Sequence, residues 1–140
     1  MYKYNPRRIT GSWNSIPFEG YMDGSFIEIE KIDKSVLTHV GGDGQVTAIL
    51  NANTLAKATV TFVQGSPTND ALTKFVPNAK NNQFITAQFE LNDLDGDTVV
   101  SSATAFIEDY PKVAFGKEIS PRQWVFFLVD PNIVAGGSGD

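Results

Sequence analysis

Cysteine is absent from the 140 residues of this chain, and its absence excludes several kinds of chemistry. Without thiols there is no disulfide framework, no thiolate metal site and no cysteine nucleophile. We therefore expect a protein made and kept in a reducing cytoplasm, or one indifferent to redox conditions. Histidine is nearly absent too, since His39 is the only one. A lone imidazole has no second imidazole with which to share a metal, so we interpret His39 as a structural residue at a strand end.

Long apolar runs and an excess of basic charge are also missing. No apolar run approaches the ~20 residues that a membrane-spanning helix needs. Residues 1–8 carry positive charges without an apolar stretch behind them, so we expect no signal peptide. Lysine and arginine total 11 against 16 aspartates and glutamates, a formal net charge of −5. Nucleic-acid binders gain affinity by neutralising phosphates, so this charge disfavours tight binding of DNA or RNA and leaves open contact with DNA that must not stick.

The chain does contain a series of short segments in which apolar and polar side chains alternate, as they do in strands. We predict strands over residues 7–15, 25–32, 36–40, 57–64, 83–91, 98–107, 112–115 and 123–129. The fifth and sixth of these form a hairpin, with Gly96 at positive φ in the turn. The last strand is apolar on both faces, so both should be covered, by the core and helix or by a neighbouring subunit.

One segment carries clear helix signals. Ser66 is a good N-cap, because its hydroxyl can accept a hydrogen bond from an N–H of the first turn. Pro67 suits the first helical position, where its missing N–H costs nothing. Leu72 and Val76 share an apolar stripe, and a proline follows the second of them and ends the element. We predict a helix over about residues 66–76.

These elements predict a single domain, residues 1–140, that is mainly β: an antiparallel β-sandwich or barrel with one flanking α-helix. Its length suffices to bury a substantial core. Three of the four residues 41–44 are glycine, which favours a hairpin tip or an arm leaving the body. We place this arm at about residues 39–55. The end of the chain, about residues 131–140, is flexible by composition.

Three features could carry chemistry, and each has a simpler interpretation. Asp93–Asp97 resembles the start of a calcium loop, but its glycine is misplaced and position twelve is Thr104 instead of glutamate. The Gly-rich run lacks the lysine and following helix of a phosphate-binding loop. Glu28 with Glu30 could do acid–base work, yet such pairs on an exposed strand face are usually solvated. We therefore expect no enzyme activity, no metal and no cofactor.

Segments spread in order along nearly the whole chain resemble the tail tube proteins of contractile-tailed bacteriophages. The ordered set, more than any one motif, carries the resemblance. Its members are Tyr4-Asn5-Pro6, Gly20 to Ile27, Val40 to Val46, Gln64 to Leu72, Asp93 to Thr98, Val113 to Glu118, Arg122 to Val125 and Gly136-Gly137. Thr47 to Leu50 departs from the pattern, because it is apolar where charge is expected. In a tube of stacked rings, the contacts that this segment makes with the next ring should therefore be unusually apolar.

The resemblance implies a fold similar to the tube proteins of type VI secretion systems and pyocins. It implies homohexameric rings whose inner strands join into one β-barrel around a pore, and which stack into a tube inside the contractile sheath. The implied partners are further copies of the chain, the tail sheath, tape measure and baseplate proteins, and double-stranded DNA passing through the lumen, with no membrane insertion. The implied location is the virion tail, assembled in the host bacterial cytoplasm.

Candidate roles follow for individual residues. We predict that the arm contacts the next ring through Val40, Gly41, Gly42, Asp43, Gly44, Gln45, Val46, Thr47, Ala48, Ile49 and Leu50. The acidic residues that alternate with apolar ones on predicted strands are candidates for the lumen wall, where negative charge repels DNA: Glu28, Glu30 and Glu90. Terminal contacts are assigned to Tyr4, Pro6, Ile133 and Val134, and the helix cap to Ser66 and Pro67.

Other interpretations stay open from the residues. A tube protein of a phage-derived injection machine, such as a pyocin, carries no genome, and this chain alone does not separate it from a virion protein. A calcium-binding adhesion or carbohydrate-binding β-sandwich predicts metal-dependent melting through Asp93–Asp97 and a secretion signal. A small hydrolase needs a nucleophile and a base that the sequence does not offer.

Overall fold

The computed structural model describes residues 4–21 and 26–136. A short 3-10 helix (Pro6–Arg8) precedes the first strand, and helix α1 (Pro67–Thr73) follows the sixth. The strands are β1 (Ile9–Trp13), β2 (Ile16–Pro17), β3 (Ile27–Lys31), β4 (Val36–Val40), β5 (Val46–Leu50), β6 (Ala56–Phe62), β7 (Ala87–Asp93), β8 (Val99–Ile107), β9 (Arg122–Val129) and β10 (Asn132–Val134).

Antiparallel pairing organises these strands into two sheets. Seven strands of the larger sheet follow the order β2-β1-β7-β8-β9-β6-β3, and β10 pairs with β8 beside this path. β4 and β5 form a two-stranded sheet of their own. The predicted fold class, a mainly β antiparallel sandwich or barrel with one flanking helix, is confirmed.

The two ends of the larger sheet approach each other. Beyond β2, the Gly20 carbonyl accepts the Val63 N–H at 2.7 Å, and Tyr21 pairs with Phe62 in an isolated bridge. The Tyr21 ring lies 4.6 Å from the Phe26 ring and 5.8 Å from the Phe62 ring, centroid to centroid. Burial raises the pKa of Tyr21 to about 12. These contacts curl the sheet towards a barrel.

The core inside this curled sheet is rich in aromatic rings. β6 alternates strictly between buried and half-buried residues, as a strand with period-2 patterning should. The fully buried Phe126 lies at the centre of the rings, 5.7 Å from both Trp13 and Phe18 and 5.6 Å from Phe89. The Trp13 indole N–H donates to the Ala105 carbonyl at 3.0 Å. The core thus buries large rings without leaving this polar handle unpaired.

Helix α1 is tied to the sheet at its start. The Ser66 hydroxyl accepts the Thr68 N–H at 3.2 Å and donates to the Glu19 carbonyl at 2.5 Å. The Trp124 indole N–H donates to the Asn69 side-chain carbonyl at 2.9 Å. Ser66 and Thr68 are buried. One N-cap residue therefore begins the helix and also holds it against the chain that follows β2.

Replacing Ser66 by alanine is expected to lower the free energy of unfolding by ~1–2 kcal/mol, because it removes both the cap and the bond to Glu19. In a thermal melt this corresponds to a loss of roughly 3–8 °C. The matched control is Thr73→Ala, which removes an exposed hydroxyl from the same helix and is expected to change stability by less than ~0.5 kcal/mol. Equal losses in the two variants would contradict the capping role.

The helix ends earlier than predicted. It has seven residues and stops at Thr73, so the predicted end near residue 76 is wrong. The Phe75 N–H bonds to the Leu72 carbonyl at 3.0 Å, a tighter turn that breaks the helical ladder. The Gln83 side chain then donates to the carbonyl of Lys74, the C-cap residue, at 2.9 Å, which satisfies a group that the helix leaves unpaired, and also to the Val76 carbonyl at 2.8 Å.

Three predicted strands are also corrected. The strand over 83–91 begins only at Ala87, because Gln83 is engaged with the helix end and pairs with Asn78 in an isolated bridge. No strand forms over residues 112–115, which belong to an irregular loop. The first strand begins at Ile9 instead of residue 7, because the 3-10 helix occupies the preceding residues.

The end of the chain differs most from expectation. Residues 123–129 were predicted to be the last strand and 131–140 a flexible tail, but β10 follows and pairs with Val99–Ser101 of β8. β9 covers β8 only from Thr104 onward, so the earlier part of that edge is free to take β10. Residues 137–140 lie outside the described part of the chain. The prediction for Gly96 is wrong as well, since positive φ among the described glycines occurs at Gly20 and Gly44.

Candidate assembly surfaces

The sites of interest on this molecule are exposed surfaces. Within residues 4–21 and 26–136, no group of three or more His, Asp or Glu side chains is placed to hold a metal ion. Over the same residues, no helix has the length and apolar character needed to cross a bilayer. His39 lies on β4 opposite Thr47 and is exposed.

The β4–β5 hairpin, Val36–Leu50, stands apart from the body of the protein. Every residue of its two strands is exposed. The Gly-rich run forms its tip, where Gly44 has φ +87° and the Gly41 N–H donates to the Gln45 carbonyl at 2.8 Å. The Asp43 carboxylate accepts the Gln45 N–H at 3.1 Å. The glycines that predicted an arm therefore make the tight turn that reverses the chain.

One face of this hairpin is apolar. In an antiparallel ladder, directly opposed residues point to the same side, and successive pairs alternate sides. The side that carries no ionisable group is made by three opposed pairs: Val36 with Leu50, Thr38 with Ala48, and Val40 with Val46. Leu50 is 85% exposed. We call this side the apolar face of the hairpin, and nothing in the described chain covers it.

The base of the hairpin is held by side-chain amides. The Asn51 side chain donates to the Lys34 carbonyl at 2.9 Å, and the Asn51 backbone N–H donates to the Ser35 carbonyl at 2.9 Å. The Asn53 side chain donates to the Asp33 carboxylate at 2.6 Å. These bonds cross between the two arms of the hairpin where its ladder is interrupted. They hold the two sides of the hairpin base together.

The three acidic lumen candidates all point away from the core. Glu28 and Glu30 flank the half-buried Ile29 on β3, and Glu90 lies between two buried residues of β7. Glu28 and Glu30 lie together on the edge strand β3. Glu90 lies on β7, which is the fourth strand from β3 in the sheet. Glu30 lies opposite Lys57. We call the side of the larger sheet that bears these residues its open face.

A row of aromatic rings also lies on the open face. Phe106 of β8 is opposite Phe127 of β9, with ring centroids 5.6 Å apart, and Phe84 lies 5.2 Å from Phe106. Phe84 is exposed and the other two are half-buried. We predicted that both faces of the strand that became β9 are covered. Within this chain, only its inner face is fully buried, and its open face is half-buried.

The irregular loop of residues 108–121 is an apolar surface that the sequence did not reveal. Its exposed side chains are Tyr110, Val113, Phe115 and Ile119. The Arg122 guanidinium lies 5.5 Å from the centre of the Phe115 ring. The Ser120 N–H donates to the Gln64 side chain at 3.2 Å, which anchors the loop beside the end of β6. The available signal in the sequence for this surface was a set of apolar residues that follow neither the strand nor the helix period. Part of it, residues 112–115, was interpreted as a short strand.

The terminal candidates meet through one turn. The Leu94 N–H donates to the Arg8 carbonyl at 3.0 Å, and the Arg8 guanidinium pairs with Asp95 at 3.2 Å. On the other side, the Thr98 hydroxyl donates to the Gly136 carbonyl at 2.9 Å. The two terminal segments thus reach the same end of the sheet. They contain the predicted terminal contacts Tyr4, Pro6, Ile133 and Val134. Tyr4, Ile133 and Val134 are exposed.

No family model matches the chain, but it is similar to known proteins. Structural protein ORF10 of Pseudomonas phage KPP10 is 27% identical over an alignment of 143 residues. The alignment covers 96% of this chain and 83% of that protein. The tube-terminating cap of the anti-feeding prophage superposes with a TM-score of 0.61 at 13% identity, covering 96% of this chain and 92% of the cap. The sheath/tube terminator of PVC, an extracellular contractile injection system, gives 0.60 at 12% identity, covering 96% and 99%.

These comparisons support different conclusions. At 12–13% identity, the two solved structures show the fold alone. The match to the phage protein covers nearly the full length of this chain. The chain is therefore similar to a structural protein of a bacteriophage, and it has the fold of terminator proteins from contractile injection systems.

Proposed function

We propose that this chain is a structural protein of a contractile tail that self-assembles into stacked hexameric rings and forms the tail tube. The observation that carries the proposal is the β4–β5 hairpin, an exposed apolar face on a base held by hydrogen bonds. The likeness to a phage structural protein supports it. A two-stranded hairpin is marginal in water on its own, so a partner surface is needed to cover it.

The sheet edge supports ring formation. Within the described residues, β3 pairs with β6 on one side only. An edge strand presents unpaired N–H and C=O groups to any strand that reaches it. In a closed ring, each such edge is covered by the next copy, and the rings join their strands into one barrel around a pore. The half-buried aromatic row on the open face would be covered in the same contacts.

The open face is the proposed lumen wall. A hexameric ring would carry a formal charge of −30, six times the −5 of each chain. Glu28 and Glu90 are exposed on that face and add to the repulsion of phosphates. Glu30 shares an open groove of about 430 Å³ with Lys31, Lys57 and Glu108, where charges of both signs are present. We propose that DNA slides through because the wall binds few phosphates.

Changing Glu28, Glu30 and Glu90 to lysine together is expected to make the tube retain double-stranded DNA and to slow genome ejection. The charge of each chain would rise from −5 to +1, six units for three reversals. Retention should weaken steeply as salt is raised, because it depends on counterion release. The matching Glu→Gln triple variant removes charge without adding any and should have a smaller effect. Unchanged ejection in the lysine variant would contradict a lumen role.

The remaining parts of the proposal follow from the resemblance described above. We propose no catalytic role for the chain. Its partners are further copies, the sheath, tape measure and baseplate proteins, and transiently the DNA. Its place is the virion tail, built in the bacterial cytoplasm. The tube of a phage-derived injection machine would use the same surfaces without a genome.

A tube-terminating cap is the second candidate, because two solved structures that share this fold are terminators. The two roles differ in one physical respect. A tube protein presents matching surfaces at both ends of its ring, so stacking continues. A terminator presents one such surface, so stacking stops after one layer.

Negative-stain electron microscopy of the purified protein over a range of concentrations tests the proposal. Hollow tubes whose length grows with concentration would support the tube protein. Single rings that add only to the end of preformed tubes would support the terminator. Monomers at every concentration, with or without preformed tubes, would contradict both. A calcium-dependent shift in melting temperature in the same sample would favour the adhesion alternative.

A further inference from the structure

We propose that the loop of residues 108–121 is the docking site for the β4–β5 hairpin of a second copy of this chain. The proposal rests on the proposed function and names the receptor surface that stacking requires. Among the described residues, the hairpin and this loop are two exposed apolar surfaces without cover: Val36, Val40, Val46 and Leu50 on one, and Tyr110, Val113, Phe115 and Ile119 on the other.

These two surfaces lie at opposite ends of the same strand. The hairpin leads directly into the amino end of β6, and its base is tied to the β9–β10 turn by a Thr54–Asp130 hydrogen bond. The loop starts at Glu108, beside Lys57, and its later part lies at the carboxyl end of β6, where Ser120 bonds to Gln64. A groove at that end is lined by Thr61, Lys112, Ala114, Ser120, Pro121 and Gln123. Seven strand residues separate the two surfaces, or about 20 Å at the usual rise.

A chain cannot satisfy its own surfaces. To reach its own loop, the hairpin would have to fold back along β6. The hairpin joins the amino end of β6, where Asn51 and Asn53 bond the two sides of its base together, whereas the loop contacts the other end of that strand. A second copy displaced along the strand direction brings its loop to the hairpin without any bending. The occupant of the loop is therefore a neighbour's hairpin.

Both surfaces are apolar. The apolar face of the hairpin has no charged residue, and Phe115, which is 78% exposed, offers a ring held in place by Arg122. The loop carries charges of both signs, Lys112 and Lys117 together with three acids, Glu108, Asp109 and Glu118. Apolar contact would therefore supply the affinity.

Two different surfaces on one chain make a head-to-tail contact. Such a contact does not close on itself in a dimer, so it propagates until rotation closes a ring or a filament grows. Since these surfaces are separated along the strand direction, they join layers of a stack. The pairing gives each layer one donor side and one acceptor side.

A complementation experiment tests this pairing. The donor variant is Val46→Glu/Leu50→Glu in the hairpin, and the acceptor variant is Phe115→Glu/Ile119→Glu in the loop. All four residues are exposed, so each variant should melt like the wild type, which shows that it is folded. Lys80→Glu, an exposed charge reversal away from both surfaces, serves as the matched control. Assembly is followed by sedimentation velocity and electron microscopy.

Each double variant alone is expected to stop at a single layer, and their equimolar mixture to form two-layer particles of twice that mass that grow no further. Lys80→Glu should assemble like the wild type. An acceptor variant that stacks as well as the wild type, or a mixture that gains no second layer, would overturn the docking site while wild-type tubes leave the proposed function standing. Wild-type protein that never associates would overturn the proposed function and the docking together.

Discussion

Phe126→Ala is expected to lower the free energy of unfolding by ~3–5 kcal/mol, the largest stability loss that we anticipate from one substitution. The Phe126 side chain is fully buried, and its ring contacts three other rings from β1, β7 and the chain after β2. Its removal leaves a cavity that these rings, fixed on different strands, cannot all collapse into. Since a domain has only ~5–15 kcal/mol of stability, this is a large fraction of the total.

Urea unfolding monitored by tryptophan fluorescence measures this loss, because Trp13 lies against Phe126. The conservative control is Phe126→Leu, which keeps most of the volume and is expected to cost less than half as much. A loss below ~1 kcal/mol for the alanine variant would mean that the aromatic cluster is not the centre of the core.

Val46→Glu/Leu50→Glu is expected to raise the concentration at which layers of the protein stack by at least ~100-fold. Burying an aliphatic side chain contributes ~1.5–3 kcal/mol, so losing two removes ~3–6 kcal/mol from each contact, and each 1.4 kcal/mol is about tenfold in affinity. The exposed positions of Val46 and Leu50 leave the monomer unaffected. Light scattering against concentration gives the threshold.

The opposite side of the same hairpin provides the control. Thr47 points away from the apolar face and lies opposite His39, so Thr47→Glu adds a charge to the hairpin without touching that face. It is expected to shift the assembly threshold by less than ~10-fold. If both variants shift the threshold equally, the apolar face has no special role and total charge governs assembly.

The residues of the hairpin show how far sequence reasoning reaches. Three glycines in the run 41–44 indicated a reversal of the chain, and Gly44 does adopt positive φ at the tip. The boundaries were less accurate, because the paired strands begin at Val36 and end at Leu50 instead of spanning about 39–55. Which residues share a face follows only from the register of the pairing, since a shift by one residue exchanges the two sides.

The acidic candidates illustrate a second limit. Alternation on β3 correctly placed Glu28 and Glu30 on the side away from the core. It could not show that Lys57 lies opposite Glu30, because that neighbour comes from pairing with a strand whose nearest end is 25 residues later. Whether this face lines a pore remains a prediction that the DNA-retention experiment addresses.

Local chemistry in the sequence by itself determined the start of the helix, the alternating burial of β3 and β6 and the glycine turn of the hairpin, because caps, strand period and positive φ depend on near neighbours. Only the tertiary structure decided that the helix ends at Thr73, that β10 takes the free part of the β8 edge, and that hairpin and loop lie at opposite ends of β6. The helix end is set by the tight turn at Phe75 and the bonds of Gln83. The other two depend on pairing between residues far apart in the chain, and no local pattern encodes which distant partner a strand edge will meet.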